Sequence, residues 1–274
     1  TGFRVGELLE QPNLGSVSCE AGLNGVVGKG LIDARVDGSV SQLEFNGYDY
    51  DSLCFGGRLT EKTFNGHVRA DDPALRFDFQ GEVGFNPERP HYDFDLDLIH
   101  ADLARMHLNR RDSVSVLSAL VEARASGRTL DDLNGKVTVG DVVYRYNADT
   151  LRTTRLTLDG QNSAGSKYLS LQSEFADATF RSRTDYKTVF EYLRSSLEKY
   201  IPLLYDERKA RKRAAGAVSV VDDYSVLSVD VKHFTPVADA VADGLQIADG
   251  SQLRLLFNPA NDKLSLKATS EYIE

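Results

Sequence analysis

The chain has 274 residues, of which 41% are apolar and 27% charged, with 22 glycines and a net charge of −9. This is the composition of a folded globular protein, and its acidic balance argues against a nucleic-acid surface, which needs a concentrated basic face. No apolar run approaches the roughly 20 residues of a membrane-spanning helix, and no secretory h-region is present.

The first two dozen residues give a weak signal: Phe3, Val5, Leu8 and Leu9 precede Pro12. From Gly25 onward, short apolar runs alternate with turn residues. Gly25, Gly28, Gly30 and Gly38 bracket Leu31–Val36, and Asn46-Gly47, Gly56-Gly57, Asn65-Gly66, Gly81 and Gly84 continue the series. Punctuation this frequent predicts many antiparallel strands and excludes a helical bundle or a βαβ architecture.

The clearest run is Ala74–Leu98. Leu75, Phe77 and Phe79 alternate with Arg76, Asp78 and Gln80; after a turn at Asn86–Pro90, Tyr92, Phe94, Leu96 and Leu98 alternate with Asp93, Asp95 and Asp97. Side chains on a strand point to opposite faces with a period of two, so each run presents one apolar and one polar row.

Residues 100–108 have helical spacing over one or two turns. Residues 113–127 fit either period, and their Ser and Val content favours a strand. Thr129–Gly135 reads as a capped turn before strands at 136–139, 142–146, 156–158, 169–171 and 176–180. The pattern then changes. Tyr186, Val189, Phe190, Leu193, Leu197, Tyr200, Ile201 and Leu204 form one stripe of a helix, with Thr184 or Asp185 as its cap and Pro202 as a kink. A basic segment, 206–213, follows. Strand signals return at 227–231, a short helix is expected over 235–243, and Leu253–Phe257 with Leu264–Ala268 reads as a hairpin.

Tests for chemistry are negative at the level of sequence. Gly25–Gly30 lacks the Ser or Thr and the helix of a phosphate loop. The five histidines show no metal-ligand spacing. Cys19 and Cys54 are too few for a disulfide framework, lack metal spacing, and are expected as half-buried strand residues. Asp93, Asp95 and Asp97 read as the solvated row of a sheet. No nucleophile–base–orienter set is visible, so a non-enzymatic protein with no cofactor and no metal is expected.

The runs Phe45–Tyr50, Phe64–Pro73 and Pro90–Leu98, with Ala101–Leu103, Thr129–Gly135 and Asp249–Ser251, resemble the AsmA-like envelope proteins of the TamB (translocation and assembly module) family, in their Bacteroidetes form. The resemblance covers most of the chain as texture. It implies an inner-membrane-anchored protein crossing the periplasm, with a sheet curled into a U-shaped trough (a β-taco) whose apolar interior shields phospholipid acyl chains in transport to the outer membrane. It implies no catalytic residues. Leu75, Phe77, Phe79, Tyr92, Phe94, Leu96 and Leu98 are the candidate groove lining.

The expected architecture is therefore mainly β: an elongated, curled antiparallel sheet over 1–183, an amphipathic helix with its basic extension over 184–216, and a β region with a short helix over 217–274 that continues the sheet. The helix would plug the groove, cap it or flank it. The chain begins Thr1-Gly2 and is read as a piece of a longer protein, with any membrane anchor outside it. The alternative function is a protein-interaction module that assists outer-membrane protein assembly by strand augmentation, with Leu264–Ala268 as its edge.

Overall fold

The structure is a computed structural model that describes residues 3–4, 13–28, 31–163, 165–186, 188–189, 191, 224–234, 237, 247–258 and 263–271. Its strands are β1 (Phe3–Arg4), β2 (Leu14–Gly28), β3 (Leu31–Phe45), β4 (Tyr48–Tyr50), β5 (Leu53–Thr60), β6 (Thr63–Asp71), β7 (Leu75–Gly84), β8 (His91–Asp102), β9 (Ser115–Ser126), β10 (Asn134–Tyr146), β11 (Asp149–Ser163), β12 (Ser166–Ser173), β13 (Ala176–Ser182), β14 (Ser225–Val231), β15 (Gln252–Asn258) and β16 (Lys263–Thr269). All belong to one antiparallel sheet that curls without closing. Each strand pairs with its neighbours in sequence. The exception is β4, which shares an edge of β3 with β5. These two segments are one strand broken at Asp51-Ser52, where Ser52 takes a positive φ of 55°.

The same dipeptide has two fates. Asn46 (φ 53°) and Gly47 (φ 76°) form the tight turn between β3 and β4, the backbone a two-residue hairpin needs. Asn65-Gly66 instead lies inside β6, with Asn65 opposite Glu82 and Gly66 opposite Gly81. Gly25, Gly38, Gly56, Gly57 and Gly81 also sit within strands. This corrects their reading as punctuation.

Three of them instead allow close approach between strands. Gly57, Gly66 and Gly81 are successive lateral neighbours on β5, β6 and β7. A Cβ on Gly57 would stand 2.7 Å from the Gly66 Cα, and one on Gly66 would stand 2.7 Å from the Gly57 Cα. A Cβ on Gly81, whose φ is +145°, would stand 2.5 Å from the Phe94 Cα. The missing side chains let neighbouring backbones approach at these positions, one of the uses to which strand glycines are put.

Residues 113–127 resolve as strand β9. The expected strands at 136–139 and 142–146 are one strand, β10, with a bulge at Asp141 (φ 47°) that shifts its register against β9. Residues 100–102 complete β8, and the expected helix there is a compact turn in which Met106 N–H donates to the Asp102 carbonyl at 3.0 Å. β2 was not foreseen. It lacks clean alternation, and every described side chain from Cys19 to Val26 is exposed.

The helix expected over 184–205, its basic extension to 216 and the short helix over 235–243 fall largely outside the described residues. What is described is an opening turn, in which Val189 N–H donates to the Asp185 carbonyl at 3.0 Å. The cap comes from elsewhere: Asp131, in the β9–β10 connection, accepts Tyr186 N–H at 2.7 Å. Lys167 on β12 pairs with both Asp131 and Asp185. β14 pairs directly with β13, so the sheet continues across this insertion.

Candidate functional site

Directly opposed residues of an antiparallel pair share a face, so the registers trace lateral rows across the sheet. One row begins Leu23, Val36, Gly57, Gly66, Gly81. It continues through Phe94, Ala123, Val137, Leu158 and Leu171 to Ala178, Val229, Leu253 and Ala268. Every position from β2 to β16 is apolar or glycine. A parallel row runs Gly38, Phe55, Val68, Phe79, Leu96, Val121, Val139, Leu156. These rows run across the strands, along the length of the curled sheet.

The seven residues singled out in the sequence lie on this inner face, and all are half-buried. Phe79 and Phe94 rings stand 5.1 Å apart, tilted by 41°, and Gly81, directly opposite Phe94, carries no side chain to compete for that place. Leu75 and Leu98 differ from the rest. They pack with Leu53, Leu103 and Leu117 around buried Tyr50, Ala74, Ala101 and Met106, where the 102–108 turn closes over the sheet. Phe79, Tyr92, Phe94 and Leu96 belong to neither buried cluster.

That closed corner is organised by Asp72, which is 1% exposed. Its carboxylate accepts the Tyr48 hydroxyl at 2.9 Å, Asp51 N–H at 3.1 Å and Ala74 N–H at 2.7 Å. Burial, then the bond to Asp72, pushes the Tyr48 hydroxyl up to about 12. In the sequence Asp72 is an ordinary turn residue beside Pro73, and its bond to Ala74 N–H is the local one of such a turn; β4 and the Asp51 that follows it supply the other two partners.

A second cluster covers the other end of the inner face. Tyr186 and Val189, 4% and 1% exposed, pack on Phe180, Leu255 and Phe257, with Leu169, Leu227 and Leu264 around them. The segment that begins at Asp185 thus starts on the apolar face. Burial and nearby Asp131 push the Tyr186 hydroxyl up to about 12. Beside the first cluster, farther along the same strands, the rows form an apolar floor carried by β5 to β11. The sequence missed most of it. Phe55, Val68, Val121, Val137 and Leu158 sit in shorter or less regular alternations, and the glycines were read as breaks.

The opposite face is charged. Asp93, Asp95 and Asp97 are exposed, and Arg124 on β9 binds Asp93 and Asp95, each at 2.9 Å. Arg58 grips Asp33 through two bonds of 2.7 Å. Glu82 accepts Asn65 at 3.0 Å and contacts His91 at 2.7 Å. Among the described residues no group of three or more His, Cys, Asp or Glu is arranged to hold a metal ion. Cys19 and Cys54 are free and exposed rather than half-buried. Cys19 opposes Val40 and Cys54 opposes Ser39, so they lie on different faces.

The hydrogen bond from Asn65, then that from His91, holds the Glu82 carboxyl below the usual carboxylate range. A carboxyl lowered in the folded state contributes stability above its unfolded pKa and loses it as the pH falls through the folded value. Thermal midpoints measured between neutral pH and about pH 3 should therefore fall on acidification, and Asn65→Ala should lessen the fall.

Comparison of the chain with protein-family models, with curated proteins and with solved structures finds no match.

Proposed function

We propose that the inner face is a trough for lipid acyl chains, and that the chain is a non-enzymatic segment of an AsmA-like, TamB-type envelope protein. In this reading it lies in the periplasm, its parent anchored in the inner membrane, and shields phospholipid tails on their way to the outer membrane. The carrying observation is the row from Leu23 to Ala268, apolar or glycine at every step of the sheet. A surface that offers no hydrogen-bond donor or acceptor over such a length suits an occupant that has none.

Energetics support the reading. Burial contributes about 0.8 kcal/mol per methylene, so a chain of about 16 carbons gains on the order of 10 kcal/mol by leaving water. A floor of Phe, Leu and Val needs no directional contacts to supply this, and tolerates different lipids. The floor's half-exposed side chains also lack a described covering layer, although large apolar surfaces are normally buried or used in binding.

Native mass spectrometry after gentle purification, with extraction of bound lipid, tests the proposal. One or more phospholipids per chain are expected, and a photo-crosslinking amino acid at Phe77 or Phe94 should capture them. A lipid-free, monodisperse protein would overturn the trough. It would favour the second reading, augmentation of an edge by strands of outer-membrane proteins under assembly. That reading draws on the open sheet, whose last strand, β16, is mostly exposed.

A further inference from the structure

The apolar floor is bordered by a turn of opposite character. Within the β8–β9 connection the chain reads Arg105-Met-His-Leu-Asn-Arg-Arg111, three arginines and a histidine without an acid, in a protein of net charge −9. No other run of seven described residues carries three arginines or lysines without an acid.

The backbone of this turn is clamped. The Asn46 side-chain amide donates to the His107 carbonyl at 2.9 Å, and His107 Nδ1–H donates back to the Asn46 carbonyl at 3.1 Å. Leu108 and Asn109 N–H both donate to the Leu103 carbonyl, at 2.8 and 2.9 Å. The flanking acids are engaged. Asp102 accepts Arg105 N–H, and Asp112 accepts the amides of Asn109 and Asn147, each bond 2.9 Å long. Arg111 stands 3.9 Å from Asp112. Arg105 lies over the Tyr48 ring, 5.7 Å from its centre. Neither Arg105 nor Arg110 forms an ion pair among the described residues, and both are exposed.

We propose that this turn is a phosphate site, and that it holds the phosphodiester of a phospholipid whose tails lie on the floor. The phosphate follows from the arginines. A guanidinium presents paired donors in one plane, which match phosphate oxygens, and a backbone already fixed lowers the ordering cost of binding. The lipid follows from the surroundings, and here the inference rests on the trough reading. Leu98 belongs to the corner that the turn closes, and the floor resumes at Leu96, two residues or roughly 7 Å along β8. Leu108, 56% exposed beside the arginines, extends the apolar surface into the turn itself.

Calorimetric titration of the whole chain with dihexanoylphosphatidylglycerol, dihexanoylglycerol and glycerophosphate separates head from tail. The phospholipid should bind about tenfold more tightly than the uncharged diacylglycerol. Arg105→Gln combined with Arg110→Gln should remove that difference and leave diacylglycerol binding as it was. Arg110→Lys, which keeps the charge without the planar fork, should retain part of it. Arg254→Gln, at an exposed position on β15, should change nothing, and circular dichroism checks that each variant is folded. Equal affinity for the two lipids overturns the site and leaves the trough standing. Glycerophosphate bound as tightly as the phospholipid overturns the lipid as the source, since the tails then add nothing. A glutamate peptide that matches the phospholipid also overturns the proposal, because charge alone then suffices. Binding of none of these ligands overturns the site and the trough together.

Discussion

Gly81→Ala should destabilise the protein by about 4 kcal/mol, the sum of backbone strain and steric overlap. Gly81 has a φ of +145°, a conformation that residues with a Cβ rarely adopt, and the added methyl would press against the Asp93 carbonyl and the Phe94 Cα on β8. Neither atom belongs to a flexible side chain, so the strands themselves must separate. The midpoint of urea unfolding should drop with little change in slope, since the surface exposed on unfolding is nearly the same. Gly140→Ala is the control. Its nearest neighbour, the Thr154 carbonyl, stands 3.5 Å from the added carbon, and the change should be within about 1 kcal/mol of neutral. Equal effects of the two substitutions would mean that the close approach of β7 and β8 at Gly81 does not depend on the missing side chain.

Asp72→Ala should cost about 3 kcal/mol or more. It strands three donors that converge on one buried carboxylate: the Tyr48 hydroxyl, Asp51 N–H and Ala74 N–H. Bonds to a charged acceptor contribute about 1.5–3 kcal/mol each, and a buried donor left without an acceptor bears its full desolvation cost. Asp72→Asn keeps an acceptor and should be milder. Spectrophotometric titration gives an independent readout. The Tyr48 hydroxyl, held at about 12 by burial first and by Asp72 second, should fall part of the way toward its ordinary value of 10.0 in Asp72→Ala. An unmoved titration would show that burial alone sets it.

The sequence disclosed the sheet through β7, β8 and the β15–β16 hairpin, where alternation is regular because one face is wet and the other dry. It disclosed less where that contrast weakens. From Cys19 to Val26 β2 is exposed on both faces, so no selection for a dry row marks it there, and the strand is silent in the pattern. Glycine misled for a different reason: the same residue serves a tight turn at Gly47 and a close approach of strands at Gly66, and only the partner strand tells them apart. Ser115–Ser126 sits between the helix and strand periods because its small buried residues, Ala119 and Ala123, satisfy either.

The candidate site was legible as a row within each strand but not as a floor across strands. Register decides that Phe79 lies beside Leu96 and Val68, and register is set by bulges such as Asp141 that no local pattern announces. The same holds for the polar contacts. Asp72, Asp131 and Arg124 look alike in the sequence to many surface charges, and they differ only in what folding brings within reach.

Pairing that follows chain order, with β4 its one exception among the described strands, makes the molecule, in thermodynamic terms, close to a one-dimensional array. Each strand's ladder bonds go to its lateral neighbours alone, and contacts beyond them gather at the Asp72 corner and around Asp131. Such an array has no single breaking point, because no one strand pair holds all the others. It also assembles almost wholly from contacts close in sequence, which favours rapid folding for an all-β chain. The exception is the joint between Ser182 and Ser225, where β13 must find β14 across the long insertion. That one closure divides the array into two blocks, each able to order before the other.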